Sequence, residues 1–450
     1  MGESVMTEEK ALEGVIKQDG MEPVPVSKRT MGAFSYWLVW LGGCVSTANL
    51  TLGSDLVSGG LNLVQAIIAI TLGSALCVIC MVLNDKLCYT TGIPYVVQLR
   101  GAFGFKGTVI PALCRGIPAV IWYGFQSWIG ASALNEISKI VIGFDSIVLW
   151  FILFQAMQIG LSALGFQGIK VINNIGGAVV IIALVYMLVT ILGMHGDVVT
   201  EVVNKKGSWG LPFFGAVTTF IGVNCALLVN IGDSVRQLKP GCGPVKRGSA
   251  YAFAMIPAVV FMGVIGLLVT SVTGIANPIV GFAYIMPNKA IVVITLFCIV
   301  CGTLTTNMLN NALPPIYVLV DLLKVSVKKS AIIVGLLAYA TFPWELVKES
   351  SAAGLNLFVL ISSSVLGPVF AILVVDYYII KKQKIDLSDY YNPDGAFKGI
   401  NIAAIGGLIA GMAAALTFIK ISWLASILPA GIVYYVLIKY FEKRRNRENM

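Results

Sequence analysis

Long uninterrupted runs of apolar residues constrain this chain more than any other feature. Stretches such as 62–85 and 355–380 are long enough to cross a bilayer, which takes about 20 residues as a helix. Lipid offers no partner to a free backbone N–H or C=O, so such runs must be helical. A β-barrel would alternate apolar and polar residues, and these runs do not. With 57% hydrophobic and only 12% charged residues in 450, the chain lacks the polar surface that a soluble domain of this length needs.

Twelve spans are expected: 33–58, 62–85, 108–137, 144–164, 171–194, 210–231, 248–274, 290–312, 330–343, 355–380, 399–419 and 423–441. The fold class is therefore all-α integral membrane. The formal net charge of +9 is distributed as membrane orientation requires. Lys28, Arg29, Lys86, Arg100, Lys106, Lys170, Lys239, Lys246, Lys328, Lys381 and Lys443 fall on one side, while the other side keeps only Lys139, Lys205, Lys206, Lys289, Lys348 and Lys420. By the positive-inside rule both termini are cytoplasmic, in a cell (inner or plasma) membrane. The basic residues form no stripe with interleaved aromatics, which argues against a nucleic-acid partner. Segments 1–30 and 442–450 read as solvated tails around a transporter domain at 31–441, with no signal-peptide pattern at the start. The partners expected are a small solute and the lipid bilayer, and the working unit is a monomer.

Nine cysteines and one histidine give little to catalysis. Cys77/Cys80 and Cys298/Cys301 lie mid-span and read as packing residues, and His195 falls between spans. No cofactor is implied beyond a coupling ion.

Four constellations carry chemistry. Spans one and six are each interrupted by polar or glycine residues, at 42–55 (GGCVSTANLTLGSD) and 221–230 (IGVNCALLVN). Two such spans, five apart, are what an inverted five-plus-five repeat gives, with repeats at about 33–194 and 210–380 and two further helices at about 399–441. A helix unwound at mid-membrane frees backbone groups to hold an ion and a solute. On span three, Trp122 and Gln126 are four apart and share a face. They offer a stacking plate and a two-way amide to a flat heteroaromatic ring, or, alternatively, a packed tryptophan and a glutamine bonding helices together. On span eight, Thr305, Thr306, Asn307 and Asn311 follow Gly302. The hydroxyls, joined by carbonyls freed near Gly43 and Ser46, suit sodium; the alternative is threonine back-bonding with asparagines joining helices. Thr47, in the interruption of span one, is a further candidate substrate contact. Among intramembrane charges, Asp55 is the candidate for proton coupling, Glu136 lies near an outer end, and Arg115 is expected to snorkel toward the cytoplasm. Asp233, Arg236 and Asp376 read as structural ion pairs or gating contacts.

The motifs LRGAFGFKG (99–107), WYGFQ (122–126), NIGDSVR (230–236), TLTTNMLNN (303–311) and LGPVFAILVVDYYI (366–379) resemble nucleobase–cation symporter family 1, the purine–cytosine permease and hydantoin transporter group, over roughly residues 30–385. That resemblance implies a leucine-transporter-like architecture working by alternating access. It implies that Trp122 stacks on the substrate, that Gln126, Asn307 and Asn311 bond it, and that Gly43, Ser46, Gly302, Thr305 and Thr306 hold Na+. Cytosine-type members carry a glutamine where this chain has Ala119, so the chain looks closer to the hydantoin and ureide branch. The family's second aromatic plate falls on Asn224, and Val223 and Ala226 lack the hydroxyls of cytosine-type members. The expected activity is import of a nucleobase, hydantoin, ureide or related nitrogen heterocycle with a cation, Na+ before H+, the solute being smaller or richer in polar edges than cytosine. An amino-acid or amine permease of the same architecture is the alternative, with a membrane enzyme and a channel as more distant ones.

Overall fold

The computed structural model describes residues 21–163, 182, 185–347 and 352–448, with side chains at 305, 309 and 445–448 outside that description. The expected span 171–194 lies mostly outside the described residues. The helices are α1 (Ala33–Cys44), α2 (Thr47–Ser54), α3 (Leu63–Thr91), α4 (Tyr95–Phe103), α5 (Val109–Ile142), α6 (Ile147–Ala163), α7 (Val185–Met194), α8 (Gly196–Asn204), α9 (Leu211–Val229), α10 (Gly232–Val235), α11 (Pro244–Thr273), α12 (Pro278–Ile285), α13 (Lys289–Asn307), α14 (Leu313–Leu323), α15 (Val327–Tyr339), α16 (Ala353–Val374), α17 (Ile402–Thr417) and α18 (Ser422–Glu448). Among the described residues there is no strand beyond one isolated bridge, Met31 to Leu238.

By length and composition, five helices qualify as membrane spans: α3, α9, α11, α16 with the π-turn Val375–Ile380, and Ile419–Arg444, which joins the 3-10 turn Ile419–Ile421 to α18. The pair α7/α8, bent by 90°, would be a sixth. The expected span 108–137 is the continuous helix α5, and the remaining described spans appear as interrupted helices or shorter apolar ones.

Span one breaks where its sequence suggested. Val45 and Ser46 leave the helical region, and the Ser46 side chain accepts from Ala48 N at 3.3 Å to cap α2. The freed Cys44 carbonyl accepts from Asn49 Nδ2 at 3.2 Å. Helix ends buried in a membrane need such partners.

Span six corrects the expectation. Residues 221–229 are helical, and the chain breaks only at Asn230. The polar residues that suggested an interruption are satisfied locally or are used for packing. Asn224 Nδ2 donates back to Phe220 O at 3.0 Å. Gly222 gives α16 a close approach, since a Cβ there would lie 2.8 Å from Val359 Cγ1. The break falls one turn later because remote side chains take over the last carbonyls of α9. Asn84 of α3 donates to Leu228 O and Val229 O at 2.8 and 2.9 Å, and Arg115 of α5 donates to Ala226 O at 3.2 Å.

Three further expectations change. Span eight does not end at 312: α13 runs through a π-turn, Met308–Ala312, into α14 and stops at Leu323. Pro314 and Pro315 have no N–H to give back to the π-turn, and Arg115 Nη2 donates to the Asn310 carbonyl at 2.9 Å instead. Residues 21–30 of the expected solvated tail are anchored to the helices at Met21 and Arg29. Met21 is buried, its carbonyl accepts from Tyr391 Oη at 2.8 Å, and Arg29 donates to Tyr89 O at 2.6 Å. Arg115 does not snorkel; it is completely buried.

The second half of span one packs on α11 through glycines. A Cβ on Gly266 would overlap the Leu50 carbonyl of α2, the close backbone approach that small residues permit between membrane helices. Gly266→Val is expected to destabilise the protein by about 1–3 kcal/mol through overpacking, read as a lowered melting temperature in detergent. Gly274→Val at the exposed end of the same helix makes a poor control because its φ is positive; Val264→Ala serves better.

Candidate functional site

A cavity lies where the broken span one meets α5, α9 and the π-turn of span eight. Trp122 and Gln126 of α5 form one wall. Gly43, Ser46 and Asn49 bring the broken span to it, Asn224 comes from α9, and Asn310 and Asn311 from the π-turn. Trp122 is 4% exposed and stands edge-on to Phe125 and Phe358, with ring centroids 5.8 and 5.3 Å away. Those edge contacts fix the indole, as is needed of a stacking plate.

The carboxamides are held by the protein. Gln126 Nε2 donates to Ser46 Oγ at 3.1 Å, tying α5 to the cap of α2. Asn310 Nδ2 donates to Gly43 O at 2.9 Å and closes the wall beside the break. Asn311 Nδ2 donates to Asn307 Oδ1 at 2.9 Å.

Asn307 does not line the cavity. It is fully buried one layer behind, donating to Tyr123 O (3.0 Å), Ser127 Oγ (3.2 Å) and Gln158 Oε1 (2.9 Å). Its part is to orient Asn311. Thr47 is buried beside Ser46 with its hydroxyl unpartnered, also outside the cavity wall. Thr306 Oγ1 donates to Gly302 O (3.0 Å) and Thr303 O (3.2 Å), and the side chain of Thr305 lies outside the described residues. A hydroxyl donating to its own helix keeps its lone pairs, and a carbonyl accepting one bond keeps a second lone pair. Gly43 and Thr306 therefore retain acceptor capacity. Asp55 stands apart, in a cavity on the far face lined also by Asn356 and Lys420, and accepts from Ala352 N at 3.2 Å.

Two residues on the wall, Asn49 and Asn310, escaped the sequence reading. Asn310 stands three residues after Asn307, inside the π-turn Met308–Ala312, and lines the cavity with Asn311. Below the cavity, toward the face where residues 21–31 pack, lies a vestibule of about 650 Å³ that shares Gly43, Leu227 and Asn310 with it. Asp233 lines this vestibule and accepts from Tyr95 N at 2.9 Å.

Residues 23–441 match the model of a family described as permeases for cytosine/purines, uracil, thiamine and allantoin. The chain belongs to that family. Its relatives include the hydantoin permease of Microbacterium maritypicum, 27% identical over 94% of this chain and 88% of that protein. They include also the allantoin permease of Bacillus subtilis, 26% identical over 94% of this chain and 93% of that protein. The permease shares the fold of Mhp1, a nucleobase-cation-symport-1 family transporter solved in a closed conformation with bromovinylhydantoin bound. The TM-score is 0.85 at 24% identity, over 95% of this chain and 96% of that one. The architecture is thus the leucine-transporter-like one that the motifs implied, and the permease is a multi-pass membrane protein. Its relatives are permeases rather than enzymes, which removes the membrane-enzyme alternative.

Proposed function

We propose that this permease imports a small planar nitrogen heterocycle together with Na+ by alternating access. The observation that carries the reading is the cavity itself: one fixed indole, Trp122, faces a ring of carboxamides beside the break in span one. An aromatic plate contributes on the order of 1–3 kcal/mol to holding a flat ring, and amides read its polar edge. The relatives named for hydantoin and allantoin support that substrate class. A zwitterionic amino acid needs no plate, and no charged side chain lines this wall.

Trp122 stacks on the ring, and Gln126, Asn224 and Asn311 bond its edges, with Asn307 behind them. Main-chain oxygens of Gly43, Ser46 and Gly302 and the hydroxyls of Thr305 and Thr306 take the ion. The two groups of ligands lie on helices that pack against each other, α1 and α13. The face carrying residues 21–31 is the cytoplasmic one by its basic residues, and the vestibule below Asn310 is the route of release. Proton coupling through Asp55 is second, since that carboxyl lies away from the pocket.

Thermal shift of the purified protein tests this. Hydantoin or allantoin is expected to raise the melting temperature, and Na+ to tighten that binding about 5- to 150-fold by reciprocal coupling. Stabilisation by amino acids alone would reverse the substrate assignment. Heterocycle binding indifferent to replacing Na+ with K+ would remove the sodium site.

A further inference from the structure

Every carboxamide on the cavity wall uses its nitrogen on the protein. Asn49 Nδ2 donates to Cys44 O, Asn224 Nδ2 to Phe220 O, and Asn310 Nδ2 to Gly43 O, at 3.2, 3.0 and 2.9 Å. A backbone carbonyl accepts only, so these three contacts fix which end of each amide is oxygen. Asn311 is fixed in the same way one step removed. It donates to Asn307 Oδ1, and the Asn307 nitrogen is committed to Tyr123 O. Gln126 gives its nitrogen to Ser46 Oγ. Asn49 Oδ1 and Gln126 Oε1 are buried without a donor. No donor within the described residues reaches the oxygens of Asn224, Asn310 or Asn311.

We infer that the pocket selects a neutral solute rich in N–H donors, a ureide or an amino-substituted heterocycle, over equally flat solutes that present mainly carbonyl oxygens. This inference rests on the heterocycle reading above and goes further by giving the solute a polarity. Each free amide oxygen has two lone pairs and each nitrogen one hydrogen left, so acceptors outnumber donors on the wall roughly two to one. A buried acceptor left unpaired is destabilising, and an N–H on the solute removes that cost. A site built to bond an N–H rejects the analogue that lacks it far more strongly than an apolar pocket rejects a change of one methylene.

The same wall offers no counter-charge to a cationic solute bound beside the coupling ion. Arg115 is fully buried, its Nη2 donates to Asn310 O at 2.9 Å, and its Nη1 has no partner. No carboxylate lines the cavity to offset a second positive charge, and like charges repel strongly where water is excluded. The solute's N–H groups are therefore those of a neutral molecule.

Three probes of one ring size separate the possibilities by thermal shift and competition on the full-length protein in Na+. Succinimide carries one ring N–H, hydantoin two, and allantoin adds a ureido group to the hydantoin ring. Affinity is expected to rise about tenfold at each step. Asn224→Val removes one acceptor. Its only hydrogen bond lies within its own helix, so the variant is expected to fold and to bring the allantoin-to-hydantoin ratio down about tenfold. Equal affinity for succinimide and hydantoin, or an unchanged ratio in the variant, would overturn the donor requirement and leave the heterocycle reading standing. No shift from any of the three would overturn both.

Discussion

Replacing Asp85 with alanine is expected to destabilise the permease by about 3–5 kcal/mol, because it strands a buried guanidinium. Asp85 is completely buried in α3. Arg247 of α11 grips it with two bonds, Nε to Oδ2 at 2.7 Å and Nη2 to Oδ1 at 2.8 Å, and Tyr251 Oη donates to Oδ2 at 2.8 Å. The two-pronged geometry is one that lysine cannot reproduce. Arg247 also donates to Cys242 O at 2.7 Å and lies 4.4 Å from the centroid of Tyr89. Tyr251 reaches Tyr36 of α1 at 3.0 Å, so the cluster fastens the first half of the broken span to α3 and α11. Chemical or thermal unfolding in detergent reads the effect. Pairing Asp85→Leu with Arg247→Met is expected to recover most of the loss, since the cost arises from the partner left charged rather than from the bond removed. Cutting the exposed Lys439–Glu442 pair is expected to change nothing measurable. An Asp85→Ala protein that melts with the wild type would show that water reaches Arg247.

The break in span one was legible because its determinants are local. Ser46 caps the next helix and Asn49 returns to Cys44, all within six residues. The break in span six was not, because it is decided by Asn84 and Arg115 on other helices. A glycine and an asparagine at 222 and 224 look the same in sequence whether they unwind a helix or pack it. Trp122 and Gln126 were readable as a pair because four-residue spacing survives in a regular helix. Asn310 was not, since three-residue spacing from Asn307 and the π-turn around it leave open which of the neighbouring asparagines meets the cavity. The family resemblance implies that Asn307 bonds the substrate; its neighbours on α5 and α6 hold it one layer back. The anchored segment at residues 21–30 depends on Tyr391 and Tyr89, partners no local pattern announces.

Arg115→Met is expected to lower both stability and heterocycle affinity. Arg115 Nε donates to Ala226 O at 3.2 Å, Nε and Nη2 reach Asn230 Oδ1 at 3.3 Å, and Nη2 takes Asn310 O. One guanidinium thus ties the end of α9 to the π-turn that carries Asn310 and Asn311. Methionine has similar length and no donors, so it leaves buried oxygens unmet at about 1–3 kcal/mol each. Arg115→Lys keeps the charge but not the planar fork, and a single ammonium cannot span oxygens on two helices in the same geometry. Both variants are therefore expected to melt lower, with methionine the worse. Both are expected to bind hydantoin at least tenfold more weakly, because Asn310 loses its anchor beside Gly43. The two readouts separate the roles. A variant that is less stable but binds normally would make Arg115 a packing residue only, whereas a lysine variant indistinguishable from wild type in both would show that its charge alone, and not the bridge between the two spans, is what the site requires.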